Sequence, residues 1–483
     1  MVFSSSVFIF IFLPLVLIVY FLLSKLPYHN AIKIQHLFLL MSSIVFYGYF
    51  KIEYTYIIIL SILCNYFFSY ICQAMGGQSK YTIIRFACFV AGILFNVLLL
   101  GYYKYFSFFR EILNYTAGTN FHIVNILLPL GISFFTFQQL SFLLSVYKGS
   151  ARVANFIDYA LFVTFFPQLV AGPIVTYSEM MPQFEDRLNS KFNSENFTKG
   201  LYIFSIGLAK KLVIADTVAL FVDNGFSLST YGLVAGWIVS LSYTMQIYFD
   251  FSGYSDMAIG LGFMFNIRLP LNFNSPYISI SIREFWSRWH MTLNRALATF
   301  IYYPLGGSRT GKIRANINLF FTFIVSGLWH GANVPFIVWG FLHGSASVLE
   351  RIFEKKLERV PRWIRWFCTF IFINFTMVLA RTASIAKALS IYHGMLCLGG
   401  LRLTQVNDIA YDGIFSYPLP INLLITCGLL LILCLLVFLP KRNSNALTVA
   451  FTPTAGRMAF TCALFTISLI HLSRLSIFIY FNF

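Results

Sequence analysis

The chain has 483 residues, of which 58% are hydrophobic and only 11% are charged, and its mean hydropathy is +0.76. A soluble protein would carry about 25% charged residues, so the composition excludes a soluble enzyme and indicates an integral membrane protein. The net charge of +17 does not indicate nucleic-acid binding, because the basic residues lie mainly in short connections, as is typical of cytoplasmic loops.

Windows of about 20 apolar residues, the length that crosses a bilayer as a helix, recur along the chain. The clearest are 7–23, 54–71, 86–100, 233–249 and 421–439. They predict an all-α, polytopic membrane protein with roughly 11–13 membrane-embedded helices. The first window lacks the basic start and the cleavage site of a secretory signal, which predicts a retained first span. The uncharged start MVFSSS, followed by Lys25 and Lys33, predicts an N-terminus outside the cytoplasm.

Polar and helix-breaking residues become frequent after about residue 125, in LLPLGISFFTFQQLSF and FFPQLVAGPIVTYSEMMPQF. Irregular backbone at membrane depth occurs only where it is buried in protein or lines a wet cavity. We therefore predict one membrane domain over residues 1–483. Within it we expect N-terminal lipid-facing helices (1–124), a catalytic core with re-entrant or broken segments (125–345) and C-terminal helices (346–483).

The stretch DFSGYSDMAIG (250–260) places Asp250, Tyr254 and Asp256 in apolar surroundings. Buried carboxylates need partners. These groups would either orient a histidine or join helices to one another, and the second interpretation is the simpler one.

A second histidine-containing segment, SIREFWSRWHMTLN, begins with a helix-start signal. Ser281 is followed three residues later by Glu284, which predicts a capped helix N-terminus. On that helix Glu284 and Arg288 have the spacing of an ion pair. Trp286 and His290 have the same spacing, so we expect the imidazole beside the indole. His290 is compatible with an ordinary polar residue near the interface or with a site residue.

The loop GGSRTGKI (306–313) resembles a phosphate-binding loop, but Ile313 stands where the magnesium-binding Ser or Thr is required. This excludes an ATPase of that kind. A basic, glycine-rich loop could still bind the phosphates of coenzyme A through Arg309, Lys312 and Arg314. The alternative is a loop whose charge only sets topology.

The stretch SGLWHGANVPFIVWG (326–340) places His330 in apolar sequence of membrane-spanning length. A buried imidazole needs hydrogen-bond partners, and ionisable groups within membranes are candidate functional residues. His330 is therefore either a structural residue or a base, for which an ordinary pKa of about 6.5 is suited. Gly327, Gly331 and Ala332 remove bulk beside it, which leaves room for a substrate or for a neighbouring helix.

Other chemistries lack their signatures in this sequence. The eight cysteines have no metal-binding or redox spacing. We therefore expect no metal and no resident cofactor. No G-x-S-x-G elbow and no dinucleotide-binding glycines are present. Histidine-assisted acyl transfer needs none of these, because the base only removes a proton from a hydroxyl that attacks a thioester.

Eight motifs in chain order resemble the membrane-bound O-acyltransferase (MBOAT) family, in its bacterial branch that O-acetylates alginate or peptidoglycan. They are the start MVFSSSVFIFIFLPLV, LPLGISFFTFQQLSF, FFPQLVAGPIVTYSEM, GLAKKLVIADTVA, IYFDFSGYSDMAIGLG, FNSPYISISIREFWSRWHMTLN, YYPLGGSR and GLWHGANVPFIVWG. The resemblance runs nearly from end to end of the chain and implies helices around a central funnel or tunnel.

The resemblance also implies an activity and its residues. His330 matches the invariant histidine, which would be the general base, and His290 matches the second histidine. The substrate or tunnel candidates are Trp286, Trp289, Trp329, Tyr254 and Asp256. An acyl group, most simply acetyl, would pass from a cytoplasmic thioester, acetyl-CoA or an acyl carrier protein, to an envelope polysaccharide. A periplasmic or extracellular partner protein would complete the transfer, and the chain would lie in the bacterial inner membrane.

Two alternatives remain open from the sequence. The related branch implies D-alanyl transfer to teichoic acid from a carrier protein. A non-enzymatic transporter or export subunit of a polysaccharide complex would use the polar core as a pathway and would need no catalytic histidine.

Overall fold

A computed structural model describes residues 1–26, 28–76, 79–121, 126–153, 155–309, 311–410, 417–438, 443–472 and 478–479. Over these residues the regular structure is helical and contains no strand, which confirms the predicted all-α class. The chain packs as two compact units. The first comprises Met1–Ser205, Tyr254–Pro270 and Thr452–Cys462, and the second comprises Ile206–Gly253, Leu271–Phe451 and Ala463–Phe483. Each unit thus combines separated stretches of chain. The predicted boundaries at residues 124 and 345 stay predictions.

We number the α-helices in chain order and give the bounds of each. The first eleven are α1 (Leu13–Leu23), α2 (Tyr28–Gly48), α3 (Ile52–Ala74), α4 (Thr82–Leu100), α5 (Phe106–Ala117), α6 (Ile132–Tyr147), α7 (Phe156–Thr164), α8 (Phe166–Leu169), α9 (Tyr177–Glu185), α10 (Ser194–Ala209) and α11 (Asp216–Ser227). The next are α12 (Leu233–Met264), α13 (Ile282–Arg288), α14 (Met291–Leu297), α15 (Lys312–His330), α16 (Val334–Ile352), α17 (Glu354–Leu357) and α18 (Arg362–Arg381). The last are α19 (Ile385–Met395), α20 (Gln405–Ala410), α21 (Leu419–Phe438), α22 (Ser444–Val449) and α23 (Ala455–Ile470).

Short segments of other helical types lie between these helices. π-helical turns occupy Phe8–Phe12, Gly101–Tyr105, Lys210–Ala215 and Ala298–Tyr302, and 3₁₀ turns occupy Ser79–Tyr81 and Pro276–Ile278. The turn Gly101–Tyr105 joins α4 to α5 without a break, so 82–117 forms one long apolar helical segment.

Several helices have the length and composition of membrane spans. Within the described residues, five segments meet that criterion: Ala31–Gly48, Ile52–Ala74, Thr82–Ala117, Arg362–Arg381 and Leu419–Phe438. Three shorter apolar helices, Phe8–Leu23, Ile132–Tyr147 and Ala455–Ile470, accompany them. Large apolar side chains on these segments are exposed, which suits contact with lipid. The multi-pass architecture is thereby confirmed, while the total of roughly 11–13 embedded helices stays a prediction.

Hydrogen bonds between side chains join the helices of the first unit. Asn65 on α3 and Asn96 on α4 exchange amide hydrogen bonds of 3.2 and 2.6 Å. Gln139 on α6 donates to Ser61 Oγ at 2.9 Å and accepts from Tyr159 Oη at 3.1 Å. Because hydrocarbon offers no alternative partner, such pairs fix which helices are neighbours.

A tight hairpin of α15 and α16 organises part of the second unit. A Cβ atom added at Gly327 would lie 2.3 Å from the carbonyl oxygen of Phe336, and one at Gly340 would lie 2.5 Å from that of Phe323. Only glycine therefore allows the two backbones this close approach. Asn333 caps α16 by accepting a hydrogen bond from the Phe336 amide at 3.0 Å. The hairpin places His330 at the last position of α15, so the apolar stretch around it is two helices and not one span.

The helix start at Ser281 is confirmed. Its hydroxyl accepts a hydrogen bond from the amide of Glu284 at 3.0 Å. The Glu284 carboxylate accepts from the amide of Ile280 at 2.9 Å, one residue before the cap, and pairs with Arg288 at 2.9 Å as expected.

The prediction of a continuous helix through His290 is wrong. Helix α13 ends at Arg288, and Trp289 has extended backbone. His290 then adopts the left-handed conformation, with φ 44° and ψ 51°, and caps α14. Trp286 and His290 therefore lack the i,i+4 relation of a helix. Non-local backbone hydrogen bonds enforce the break, because Asn274 N donates to Arg288 O at 2.9 Å and Met291 N donates to Asn272 O at 3.0 Å.

Candidate functional site

The two predicted histidines lie together inside the second unit. The ring centroids of His290 and His330 are 6.4 Å apart, and the rings are tilted by 58°. Both residues are buried, with exposed fractions of 0% and 5%. Two break-points of the backbone, the left-handed residue before α14 and the C-terminus of α15, thus bring one imidazole each to the same place.

Asn272 fixes the orientation and tautomer of His290. Its Oδ1 atom lies 3.0 Å from His290 Nδ1 and accepts from the Thr292 hydroxyl at 3.0 Å and from the Thr292 amide at 3.4 Å. Because these Thr292 groups identify Oδ1 as the acceptor, His290 Nδ1 must carry the hydrogen. The neutral ring then has its lone pair on Nε2, which is the arrangement of a base held by an orienting group.

The backbone of His290 is held in an uncommon conformation. The left-handed region is sparsely populated by residues other than glycine, although histidine occurs there more often than most. Such a residue costs about 1–3 kcal/mol and persists where its surroundings over-determine it, frequently at functional sites. Here Asn272 supplies that restraint through its side chain to His290 and its carbonyl to Met291.

His330 lies at the C-terminal end of α15 within an aromatic wall. Its ring centroid is 5.0 Å from that of Trp329, 5.2 Å from that of Trp339 and 6.1 Å from that of Phe336. The C-terminus of a helix carries the negative end of its dipole, which stabilises a positive charge nearby. The position therefore favours a group that becomes cationic during a reaction.

The small residues beside His330 make room for a helix. A Cβ atom at Gly331 would lie 2.2 Å from the ring of Phe336, and one at Gly327 would meet the Phe336 carbonyl. Of the two possibilities left open by the sequence, a substrate or a neighbouring helix, the structure shows the helix at both glycines. The sequence pattern alone could not separate these outcomes, because both require the same absence of side chain.

A third histidine, His343, was missed by the sequence analysis. It is fully buried on α16. Its Nδ1 accepts a hydrogen bond from Trp286 Nε1 at 3.2 Å, and its Nε2 lies 3.0 Å from Thr376 Oγ1. Trp339 packs between it and His330, with centroids 4.4 Å from His343 and 5.2 Å from His330. The available signal was the spacing of Trp339 and His343, one helical turn apart in WGFLHG.

The predicted tryptophans have different surroundings. Trp329 contacts both predicted histidines, with centroids 5.0 Å from His330 and 6.0 Å from His290. Trp286 contacts His343 and Trp339 instead. Trp289 packs in a cluster of other aromatic rings, formed by Phe285, Phe273, Tyr277 and Tyr248.

The acidic motif at 250–260 is divided between the units. Asp250 belongs to the second unit, where it pairs with Lys211 at 2.7 Å and accepts from the Ile479 amide at 2.9 Å. This is the helix-joining role favoured from the sequence. Tyr254 and Asp256 belong to the first unit, and both are buried there. Tyr254 stacks on Phe3 with centroids 4.8 Å apart. Substrate roles for these two residues stay predictions.

The basic loop residues are exposed at the other end of α15. Arg309, Lys312 and Arg314 are all exposed, and the latter two lie in the first turn of the helix. Free amide groups and the positive end of the dipole make a helix N-terminus favourable for anions. Along α15 the loop is about 27 Å from His330, at 1.5 Å per residue. Among the described residues, no three His, Cys, Asp or Glu side chains are grouped so that they could hold a metal ion.

Together the fold and the site define a multi-pass helical membrane protein with a buried cluster of histidines and tryptophans. Residues 129–387, slightly more than half of the chain, match the family model of the membrane-bound O-acyltransferases. The Peptidoglycan O-acetyltransferase of Helicobacter pylori is 37% identical over 526 aligned positions, covering 100% of this chain and 98% of that protein.

The chain is also similar to two other kinds of bacterial protein. The Probable alginate O-acetylase AlgI of Pseudomonas aeruginosa is 37% identical and is aligned over 86% of this chain and 78% of its own length. The Teichoic acid D-alanyltransferase of Bacillus subtilis is 27% identical over 50% of this chain and 64% of that protein. The chain belongs to the membrane-bound O-acyltransferase family. It is accordingly an O-acyltransferase that lies in a lipid bilayer and uses an acyl donor as a substrate.

Proposed function

We propose that the protein transfers an acetyl group from a cytoplasmic thioester across the membrane for O-acetylation of an envelope polysaccharide. The observation that carries this proposal is the similarity to the Helicobacter pylori Peptidoglycan O-acetyltransferase over the full length of both chains. Peptidoglycan is the favoured acceptor for that reason. An alginate-like polysaccharide is the alternative, supported by the shorter match to alginate O-acetylases.

In the proposed reaction His330 is the general base. Its imidazole takes the proton of an attacking hydroxyl while that oxygen forms a bond to the thioester carbonyl carbon. The tetrahedral intermediate then expels the thiolate as the carbon–sulfur bond breaks, and the imidazolium returns the proton to the sulfur. The location of His330 at the C-terminus of α15 supports this role, since the helix dipole stabilises the imidazolium while it exists.

His290 acts in this scheme as the second, positioning histidine. The Asn272 side chain keeps hydrogen on Nδ1, so Nε2 offers a lone pair in a fixed direction. Such an atom accepts a hydrogen bond from the attacking hydroxyl and holds it near His330. Correct placement of two reacting groups supplies much of the rate of an intramolecular reaction. Trp329 contacts both rings, and we assign it to one wall of the acyl slot.

The remaining predicted groups fit the same scheme as proposals. The exposed Arg309, Lys312 and Arg314 would bind the phosphates of acetyl-CoA or of a carrier-protein arm at the cytoplasmic surface. The donor would then need to carry its acyl group about 27 Å to reach His330. The protein would lie in the bacterial inner membrane, and an extracytoplasmic partner would complete transfer to the polysaccharide.

The second candidate function is D-alanyl transfer to teichoic acid. The match to the Teichoic acid D-alanyltransferase of Bacillus subtilis supports it, but with lower identity and about half of the chain. The other alternative, a non-enzymatic export subunit, loses its basis because the chain belongs to a family of acyltransferases.

The experiment that separates these cargoes is a chemical analysis of envelope esters. Peptidoglycan, exopolysaccharide and teichoic acid fractions from a wild-type strain and a deletion strain are treated with mild base, and the released acids are quantified. We expect acetate to fall in the deletion strain and to return on complementation. A loss of D-alanine with unchanged acetate would overturn the acetyl assignment, and the fraction that loses acetate identifies the acceptor.

A further inference from the structure

We propose that His343 is a positioning residue for this site, a permanently neutral imidazole with its proton on Nε2 that fixes Trp286 and, through Trp339, the ring of His330. This inference rests on the proposed acyl-transfer function for its kinetic consequences. The hydrogen-bond arrangement from which it follows stands independently of the reaction.

The protonation state follows from a chain of donors and acceptors with one consistent solution. Trp286 Nε1 can only donate, so His343 Nδ1, 3.2 Å away, must be an unprotonated acceptor. The hydrogen of the neutral ring is then on Nε2, which faces Thr376 Oγ1 at 3.0 Å. The Thr376 hydroxyl in turn donates to the carbonyl of Ile373 at 2.9 Å, which leaves its oxygen ready to accept from His343.

This arrangement uses both nitrogens of His343. Protonation at Nδ1 would place two hydrogens between the indole and the imidazole and would break the bond to Trp286. The residue is fully buried on α16, so water cannot replace the lost partner. His343 is thereby excluded as a third base. Its contrast with His290 is direct, since there the neutral ring keeps its lone pair on Nε2 and has Nδ1 held by an amide oxygen.

The link to His330 runs through two edge-to-face ring contacts. Trp286 and Trp339 have centroids 5.4 Å apart and planes at 89°, and Trp339 and His330 have centroids 5.2 Å apart and planes at 74°. The backbone of Trp286 is held at the same time, because the Asn294 amide donates to its carbonyl oxygen. With its indole nitrogen bound by His343, Trp286 is fixed at both ends and presents a fixed ring for Trp339 to pack against.

Two substitutions at one position test this role. Glutamine can reproduce the neutral tautomer, since its amide oxygen accepts from Trp286 and its amide nitrogen donates to Thr376, whereas alanine can do neither. Purified full-length His343→Gln and His343→Ala proteins are compared with wild type in acetyl transfer from acetyl-CoA, over a pH series. We expect His343→Ala to lower kcat by about 10–100-fold, the scale of a small misplacement of reacting groups, with little change in KM.

The conservative variant His343→Gln distinguishes a positioning role from a role in proton transfer. We expect His343→Gln to recover most of kcat and to show the same pH profile as wild type. If His343→Gln is as inactive as His343→Ala, or if its pH profile loses an ionisation, His343 takes part in proton transfer and the inference is wrong. Trp286→Phe and Thr376→Val remove single partners and serve where His343→Ala fails to fold. Each of these two variants should lower kcat. In the double variant Trp286→Phe/His343→Gln, the kcat that His343→Gln recovers relative to His343→Ala should be lost again.

A second measurement does not depend on catalysis. The ¹⁵N spectrum of histidine-labelled wild-type protein, compared with that of His343→Gln, isolates the resonances of this ring. We expect an unprotonated Nδ1 and a protonated Nε2 that do not titrate between pH 5 and 8. A ring that titrates in this range, or that carries hydrogen on Nδ1, would refute the inference even if the protein transfers another acyl group. Conversely, absence of acetyl transfer by the wild type would count against the proposed function and leave this result standing.

Discussion

Each unit of the protein buries a histidine whose Nδ1 faces a side-chain oxygen, and the partners differ. In the first unit, His36 Nδ1 lies 2.6 Å from the carboxylate of Asp158, and its Nε2 faces the carbonyl of Phe184 at 3.3 Å. In the second unit, His290 Nδ1 lies 3.0 Å from the neutral amide oxygen of Asn272. The His36 ring thus links α2 to the Asp158 side chain on α7 and to the Phe184 carbonyl on α9. An imidazole oriented by an amide keeps a lone pair that can accept a proton.

The comparison shows that burial of a histidine does not by itself indicate chemistry. His36, His290 and His343 are all buried, yet their hydrogen-bond partners give them three different capacities. In the proposed scheme only the pair His290 and His330 acts on substrate. His343 supports the rings beside that pair, whereas the contacts of His36 lie within the first unit.

The largest expected effect concerns the pair as a unit. His330→Ala should lower acetyl transfer by about 10²–10⁴-fold, the usual contribution of general base catalysis. Adding His290→Ala should reduce the rate little further, because groups that act together have non-additive effects. Turnover of purified proteins at equal folded concentration measures both. If the rate loss of the double variant equals the product of the losses of His330→Ala and His290→Ala, the two histidines act independently.

The next variant, Asn272→Asp, gives His290 a carboxylate partner like the one that Asp158 provides to His36. In Asn272→Asp a carboxylate would replace the amide oxygen, and a nearby negative charge favours the protonated imidazole and raises its pKa. Since the reaction needs the unprotonated ring, the acidic limb of the pH–rate profile should move to higher pH. Asn272→Leu should instead lower the rate at every pH, because the orienting oxygen is lost. An unchanged profile in Asn272→Asp would show that His290 is not required in its neutral form.

A stability effect is expected at the α15–α16 hairpin. Gly327→Ala would force a Cβ atom to within 2.3 Å of the Phe336 carbonyl. Overpacking of this kind costs typically about 1–3 kcal/mol, so the thermal unfolding temperature in detergent should fall. Gly428→Ala on α21 is the matched control, because nothing lies within 4 Å of its added Cβ. Equal stability of the two variants would contradict the close approach of the helices.

The smallest effect is expected in the first unit. Asn65→Leu removes one side of the amide pair with Asn96, and interhelical hydrogen bonds in membranes contribute about 1 kcal/mol. We therefore expect a slightly lower unfolding temperature and unchanged turnover per folded molecule. A change in the pH–rate profile of this variant would show that the polar contacts of the first unit participate in catalysis.

Signals of local range allowed the helical class, the cap at Ser281 and the Glu284–Arg288 pair to be predicted from the sequence. The structure brings the two candidate histidines together, and their catalytic role stays a prediction. The break at His290 could not be predicted from local signals. The segment FWSRWHMTLN contains no glycine or proline, and the interruption depends on backbone bonds to Asn272 and Asn274, some 14–19 residues away in sequence. The position of His343 in the site could not be predicted for a similar reason, because its contacts are with Trp286 and Thr376 on other helices.

Complementation of a deletion strain tests most directly whether the buried imidazole of His330, at the end of α15, is the base of the acyl transfer. A deletion strain is complemented with wild type, His330→Ala or His393→Ala at matched membrane levels, and base-released acetate of the envelope polysaccharide is measured. His393 is the control, because it is an exposed histidine of the same unit on α19. We predict that wild type and His393→Ala restore acetate and that His330→Ala does not. Full restoration by His330→Ala would contradict the account and reduce this histidine to a structural residue.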